Sequence, residues 1–206
     1  MSDPLEAVYA AATDEELAEA YARWAADYDR QTAEMGYCLP WVIAAWVARH
    51  VPKGDGPLLD AGCGTGLSGL ALQALGYDQL EGLDLSEEML AIAGSRNSYN
   101  ELKPAALGKE LPWPDDYFLA FFSTGVFTEG HAPAASLDEL VRITRSGGIA
   151  ILTVRDTVFK ANGFAEKFIE LERTGKWTPL EESPQFRAFA IAEPELLVQA
   201  FVFGIL

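Results

Sequence analysis

The fold of this chain is indicated most strongly by residues 58–67, which read Leu58-Leu59-Asp60-Ala61-Gly62-Cys63-Gly64-Thr65-Gly66-Leu67. A short apolar run ends in an acid and enters a loop with glycine at every second position. Apolar residues at helical spacing follow, so the pattern predicts a strand, a glycine-rich turn and a helix. Glycine tolerates positive φ and leaves no Cβ between backbone and ligand, and a helix N-terminus offers free N–H groups. We therefore expect this turn to hold an anionic or strongly polar ligand group.

An acid at the end of the next predicted strand strengthens this interpretation. Residues 80–84 are predicted to form that strand, and its last residue, Asp84, lies about twenty residues beyond the glycine loop. A carboxylate there is placed to accept hydrogen bonds from a ribose diol at the carboxyl edge of a sheet. The alternative is that Asp84 only caps the helix that begins near Ser86.

Two cofactor classes use such a loop, and the glycine spacing separates them. The dinucleotide fingerprint G-x-G-x-x-G requires glycine at position 67, where this chain has Leu67. The pattern present, Asp60-x-Gly62-x-Gly64-x-Gly66, resembles motif I of the class I S-adenosylmethionine-dependent methyltransferases. Residues 83–90 are similar to the segment that follows in that family, and residues 137–148 resemble its helix and turn before the fifth strand. The resemblance covers residues 20–155 and is specific for cofactor and fold, but it does not extend to the methyl acceptor.

The resemblance implies an α/β fold with a Rossmann-like, doubly wound, mostly parallel seven-stranded sheet and an antiparallel C-terminal strand pair. Residues 1–52 are expected to form a helical lid or cap integral to the domain, and residues 53–206 the methyltransferase core. We predict the terminal strands at residues 186–191 and 196–203, which must be antiparallel because their link is short. Residues 175–179 are predicted to form a loop.

The resemblance also implies S-adenosylmethionine as the cofactor and assigns its binding residues. The glycine loop and the second strand's end would contribute Asp60, Gly62, Cys63, Gly64, Thr65, Gly66, Asp84, Leu85 and Met89. Leu107 stands where the family usually has an acid, so backbone groups near Leu107 and Gly108 are expected to replace that acid's contact with the adenine amino group. Ser123 and Thr124, at the end of the predicted fourth strand, and Tyr28 complete the set.

The N-terminal segment has the pattern of an amphipathic helix. Thr13 and Glu16 form a capping-box start, and Leu17, Tyr21, Trp24 and Tyr28 then fall on one stripe. Many small-molecule methyltransferases have a similar helix over the cofactor as a lid. For Tyr28, a place in the lid and a place in the ordinary core remain equally open. Residues 31–39 are predicted to form a connector.

Candidate catalytic groups cluster near the predicted methyl-transfer site. Glu129 and His131 follow the fourth strand, whose carboxyl end lies where ligands bind in open α/β sheets. Asp29 follows the lid helix stripe. Histidine has the pKa best suited to neutral pH, so His131 is the leading candidate for a general base. The alternatives are that it is an ordinary loop residue and that proximity alone drives transfer.

Composition restricts the partners. The chain has 206 residues, half of them apolar, which fits one well-cored domain, and its formal charge is −16. Such an acidic surface disfavours nucleic acid and anionic membranes as partners. Cys38 and Cys63 are expected to be reduced thiols in a cytoplasmic protein, and no metal-ligand spacing includes them. The acidic N-terminus has no apolar segment of signal-peptide type, and no apolar run is long enough to cross a bilayer.

The predicted function is methyl transfer from S-adenosylmethionine to a small-molecule acceptor with an apolar or aromatic part. Several aromatic residues are candidates for the walls of the acceptor pocket, although each is also ordinary core material: Trp24, Tyr28, Tyr37, Trp41, Trp113, Phe127 and Trp177. Two alternatives stay open at this point. One is a non-catalytic module that binds S-adenosylmethionine or another nucleoside, and the other is an NAD(P)-dependent oxidoreductase.

Overall fold

The computed structural model describes residues 4–206, and its centre is one mixed β-sheet. The strands are β1 (Leu58–Ala61), β2 (Leu80–Asp84), β3 (Glu101–Pro104), β4 (Phe118–Phe127), β5 (Thr144–Arg155), β6 (Trp177–Glu182), β7 (Phe186–Arg187) and β8 (Leu197–Ile205). The helices are α1 (Pro4–Tyr9), α2 (Asp14–Glu34), α3 (Leu39–His50), α4 (Leu67–Ala74), α5 (Glu87–Ser95), α6 (Ser136–Arg142), α7 (Asp156–Ala161) and α8 (Phe164–Arg173).

The sheet confirms the predicted fold class. Its order is β3-β2-β1-β4-β5-β8-β6, with the two-residue β7 added beside β8. The first five strands of this order are parallel, and β8 runs antiparallel to β5, β6 and β7. Both β1 and β4 are buried almost throughout, as their apolar runs require when helices cover both faces of a sheet. The chain order reverses between β1 and β4, so a crevice is expected at their carboxyl ends.

The helix starts follow the local sequence signals. The Thr13 side chain accepts a hydrogen bond from the backbone N–H of Glu16 at 3.1 Å and so caps α2. Ser86 caps α5 by accepting from the N–H of Met89 at 3.3 Å. Pro40 lies in the first turn of α3, where its missing N–H costs no hydrogen bond. These signals mark where α2, α3 and α5 begin.

The helices α1 and α2 pack on each other in a cluster of their own. Its buried members are Leu5, Val8, Leu17, Ala20 and Trp24, and Tyr21, Tyr28 and Leu85 pack against it. The helix α3 instead buries Ile43 and Val47 against the sheet. The first two helices therefore lie over the carboxyl edge, whereas α3 belongs to the main core. None of the helices in residues 4–206 combines the length and apolar character that crossing a bilayer requires.

Two local predictions at the C-terminal end are wrong. The predicted loop at residues 175–179 contains the start of β6, because Trp177 is fully buried and stacks on Phe203 with ring centroids 3.8 Å apart. Pro179 is tolerated because β6 is an edge strand whose register shifts there. The predicted strand at residues 186–191 is reduced to the two residues of β7.

A third correction concerns α2. The helix continues to Glu34, inside the segment predicted to be a connector. The Thr32 hydroxyl is satisfied within this extension by donating to the Tyr28 carbonyl at 2.7 Å. The extension buries Thr32 beneath the helix, so the turn before α3 is shorter than the sequence indicated.

Candidate functional site

The glycine loop follows β1 and is tied to the end of β2. The N–H groups of Gly62 and Cys63 both donate to the Leu83 carbonyl, at 2.9 and 2.8 Å. Gly62, Gly64 and Gly66 have φ of +86°, +53° and +85°, which other residues adopt only under strain. The glycines therefore let the loop turn sharply while its backbone stays close to the neighbouring strand.

Gly64 forms the part of the loop that faces open space. A Cβ added there would meet no atom within 4 Å, whereas one at Gly66 would lie 3.1 Å from Ala93 and Tyr99. The Gly64 N–H donates to the Asp84 carboxylate at 2.7 Å. This arrangement is a cradle that a side chain would fill, with a carboxylate at its rim.

Asp84 lies at the end of β2 with its carboxylate in the cavity. Its other oxygen accepts from the Ser86 N–H at 3.0 Å. Burial raises the pKa of Asp84, and the hydrogen bonds from Ser86 and Gly64 oppose that shift. Each carboxylate oxygen has a further lone pair, so Asp84 keeps the capacity to accept from a ligand hydroxyl.

A cavity of about 750 Å³, including its open mouth, lies over the carboxyl ends of β1, β2 and β4. The glycine loop and the β2–α5 segment line it with Gly62, Gly64, Asp84, Leu85 and Met89. Four more predicted residues line it from other elements: Tyr28, Leu107, Thr124 and His131. The fold thus gathers nine of the proposed site residues around one space at the carboxyl edge of the sheet.

A recess of about 310 Å³ extends this space along the glycine loop. Cys63 and Thr65 line the recess, together with Leu67 and Ser68 at the start of α4. The backbone N–H groups of a first helical turn have no partners within the helix. The recess is therefore suited to a polar or charged end of a ligand.

Four of the predicted cofactor residues lie outside these spaces. Gly66 is the N-cap of α4 and packs against α5. Gly108 lies against Pro133, and the buried Ser123 hydroxyl donates to the Ala61 carbonyl at 2.7 Å. The fourth is Asp60. These contacts hold the strand ends and loops that border the cavity.

Asp60 is buried and is linked through the Tyr99 hydroxyl to the helix that follows the glycine loop. The Tyr99 hydroxyl donates to its carboxylate at 2.7 Å and accepts from the Gly69 N–H at 3.1 Å. Burial raises the pKa of Asp60 to about 7, the Tyr99 hydrogen bond lowers it and the Asp84 charge raises it. This connection positions α4 behind the glycine loop.

Two of the three candidate bases are held in ion pairs. Glu129 accepts from Arg155 at 2.8 Å and from the Thr157 hydroxyl at 2.5 Å, and it does not line the cavity. Asp29 accepts from the Thr65 hydroxyl at 2.6 Å and forms an ion pair with Arg96. Both carboxylates are therefore already engaged by neighbouring side chains.

His131 is the candidate base that faces the cavity. Its Nδ1 lies 2.8 Å from the Glu129 carbonyl and 2.9 Å from the Thr128 hydroxyl, and its Nε2 lies 2.9 Å from the Tyr21 hydroxyl. Because a carbonyl only accepts, the proton belongs on Nδ1, which leaves Nε2 as an acceptor. Burial lowers the pKa of His131, so the ring is neutral at physiological pH.

Beyond His131 lies a second space, of about 450 Å³ when the open space at its mouth is included. We call it the aromatic chamber and define it by six rings in its wall: Tyr9, Tyr21, Trp24, Tyr28, Tyr37 and Phe189. Tyr21, Tyr28, Tyr37, Gly125 and His131 line both the cavity and the chamber. The two spaces therefore adjoin along these residues, and we call this boundary the doorway.

The other aromatic candidates for the acceptor pocket lie elsewhere. Trp113 and Phe127 belong to the main core, and Trp177 is buried beneath α8. Trp41 is 62% exposed on α3. Tyr21 was not among the predicted site residues, and its hydroxyl on the helix stripe shared with Leu17 and Trp24 was the signal that could have indicated it.

The comparisons with known proteins agree with this geometry. A family model described as a methyltransferase domain matches residues 59–152. Human methyltransferase-like protein 27 is 34% identical over 175 residues, which are 80% of this chain and 69% of that protein. A Streptomyces fradiae protein named dTDP-3-amino-3,6-dideoxy-alpha-D-glucopyranose N,N-dimethyltransferase is 39% identical over 90 residues, 41% of this chain and 31% of its own.

A solved structure shows the same fold. It is a chain of the complex between the Haloferax volcanii Trm112 methyltransferase activator and a methyltransferase. The match has a TM-score of 0.66 and 19% identity, and it covers 90% of this chain and 97% of that one. The chain has a glycine cradle and an acid at the end of β2, and the relatives named above are methyltransferases. It therefore belongs to the class I S-adenosylmethionine-dependent methyltransferases. It is an enzyme, and its cofactor is S-adenosylmethionine, as predicted.

A valine at position 64 tests the cradle directly. We expect Gly64→Val to abolish binding of S-adenosylhomocysteine, because the new side chain would project into the open space that the ligand needs. The measurement is calorimetric titration. The matched control is Gly175→Val, since Gly175 also has positive φ and open space around its Cβ position but lies between α8 and β6. Normal binding by folded Gly64→Val would show that no ligand approaches this loop closely.

Proposed function

We propose that this methyltransferase acts on a small-molecule acceptor with an apolar or aromatic part. The observation that carries the proposal is the aromatic chamber, which meets the cofactor cavity at His131. Its mostly aromatic and apolar lining suits a compact molecule with an apolar part. The name of the Streptomyces fradiae relative, which describes methylation of a nucleotide-linked amino sugar, also supports a small acceptor. The formal charge of −16 disfavours nucleic acid and anionic membranes.

We assign the cofactor contacts from the lining of the cavity. Asp84 would accept hydrogen bonds from the ribose hydroxyls. Gly62 and Gly64 have no side chains, so the loop backbone could come close to the ligand. Leu85, Met89 and Leu107 would provide apolar contacts for the adenine. The recess beside Cys63 and Thr65 would receive the charged amino-acid end.

The bound cofactor supplies a methyl group on a positively charged sulfur. The chain's own groups must hold the acceptor in line, exclude water and receive a proton. For a hydroxyl acceptor, His131 Nε2 would receive the hydroxyl proton as the methyl group is transferred to the oxygen. Glu129 and Asp29 are assigned structural roles, because their carboxylates are already engaged.

We also propose that the N-terminal helices within residues 1–52 act as a lid. The α1–α2 cluster is separate from the main core. Two polar connections join α2 to the site: Asp29 to Thr65, and Tyr21 to His131. Segments with few core contacts open most readily, and lids belong to this class. The two free cysteines fit a reducing compartment such as the cytoplasm.

Hydrogen exchange tests the lid. S-adenosylhomocysteine is expected to slow exchange in residues 14–30, because the ligand would contact Tyr28 and the loop that Asp29 holds. The internal reference is α8, which lies away from the cavity and should exchange equally with and without ligand. Equal protection of residues 14–30 in both states would make α2 part of the permanent core.

An acceptor screen tests the substrate class. The enzyme would be incubated with methyl-labelled S-adenosylmethionine and, separately, with metabolite, protein and RNA fractions of a cell extract. We expect labelled product only from the metabolite fraction. Label confined to protein or RNA would refute the proposal.

Once an acceptor is known, histidine substitution tests the base. We expect His131→Ala to lower turnover about 10²- to 10⁴-fold with little change in cofactor affinity. Wild-type activity should fall as the pH drops below the ordinary histidine value, about 6.5, because burial lowers the pKa of His131 and only the neutral ring accepts a proton.

The matched control is His50→Ala. His50 is the other histidine of the chain; it lies at the end of α3, and its ring contacts the Glu181 carboxylate. This variant should keep the wild-type turnover and the wild-type loss of activity at low pH. The readout is formation of S-adenosylhomocysteine across the pH range. If His131→Ala has unaltered kinetics, transfer relies on proximity alone.

A further inference from the structure

We infer that the aromatic chamber is the acceptor site and that it selects an uncharged aromatic alcohol, in its simplest form a phenol. This inference rests on the proposed transfer to a small molecule and names the class of that molecule. It draws on the doorway, the charge of the chamber wall and the polar groups at its entrance.

The doorway is the boundary along which the two spaces adjoin. Gly125 lies on it with φ +72°, and a Cβ at this position would overlap the Tyr37 hydroxyl. Glycine therefore leaves room for the Tyr37 side chain, whose hydroxyl lies against the Gly125 backbone. A molecule in the chamber would reach the cofactor cavity here by displacing a tyrosine side chain of the boundary.

The wall of the chamber excludes charged molecules. Its lining, within residues 4–206, contains no Asp, Glu, Lys or Arg. Arg155 is not in this lining: its guanidinium lies 5.1 Å from the Tyr9 ring centroid and pairs with Glu129 at 2.8 Å. A charge enclosed in the chamber would lose its water and find no counterion, which is costly.

The polar groups of the chamber are concentrated at the doorway. The hydroxyl of Tyr21 and Nε2 of His131 form a donor and acceptor pair 2.9 Å apart. Burial holds the pKa of Tyr21 well above its ordinary range, so the phenol stays a donor. An acceptor hydroxyl can enter this pair by accepting from Tyr21 and donating to His131.

The far side of the chamber is apolar and suits a ring. Trp24, Phe189, Leu196 and Val198 line it, all buried. A molecule with a hydroxyl at the doorway would place its carbon framework against these side chains. Aromatic walls favour a flat aromatic framework through edge and face contacts.

Three probes of similar size test the charge selection. The complex with S-adenosylhomocysteine would be titrated with p-cresol, p-hydroxybenzoate and tyramine, which are neutral, anionic and cationic at pH 7, and followed by NMR. We expect p-cresol to bind at least about tenfold more tightly than either charged probe. Equal or tighter binding of a charged probe would overturn the inference.

A filled chamber tests the location. Val198 lines the chamber but not the cofactor cavity, so Val198→Phe should weaken p-cresol at least about tenfold and leave S-adenosylhomocysteine binding within about twofold. The control is Ile191→Phe, at a residue that is 75% exposed. Unchanged p-cresol binding in Val198→Phe would overturn the location. Retained affinity for S-adenosylhomocysteine verifies that the variant is folded. If that affinity is lost, the comparison of the three probes on the wild-type enzyme decides whether the inference stands.

The acceptor screen separates this inference from the proposed function. If a small molecule is methylated while p-cresol shows no preference, the inference fails and the function stands. If only macromolecules are methylated, both fail.

Discussion

The site depends on the hydrogen bond from the Gly64 N–H to the Asp84 carboxylate. This bond joins the loop after β1 to the end of β2, and the Leu83 carbonyl holds the same loop through two further N–H groups. Only glycine meets both demands at position 64, a positive φ and a backbone without a Cβ beside the open cavity. The distance between cradle and carboxylate is therefore set by main-chain geometry, before any ligand binds.

The other polar side chains near this edge fall into two sets, charged residues that have partners and neutral residues that face the interior. Asp29 with Arg96 and Glu129 with Arg155 are paired at the margins, and Asp60 is buried against Tyr99. The neutral His131 ring and the tyrosine hydroxyls face the interior. In a chain with so many acids, this division leaves Asp84 and the exposed Asp14 as the acidic residues that line the cavity.

Local patterns predicted the parts of the structure that local physics decides. The strand before Gly62, the helix after Ser86 and the acid at position 84 all follow from spacing and capping. Trp177 shows the limit, because turn-forming neighbours indicated a loop while stacking on Phe203 makes it a strand. The aromatic chamber was beyond sequence analysis, since α1, α2 and the β7–β8 segment contribute to it from opposite ends of the chain.

The most direct measurement is the affinity of S-adenosylhomocysteine for Asp84→Ala, compared with wild type by calorimetry. Losing a charge-assisted acceptor costs about 1.5–3 kcal/mol, so the dissociation constant should rise about tenfold or more. Asp78→Ala, at an exposed acid just before β2, should bind like wild type. Equal affinity of folded Asp84→Ala and wild type would contradict the central claim that the end of β2 holds the cofactor.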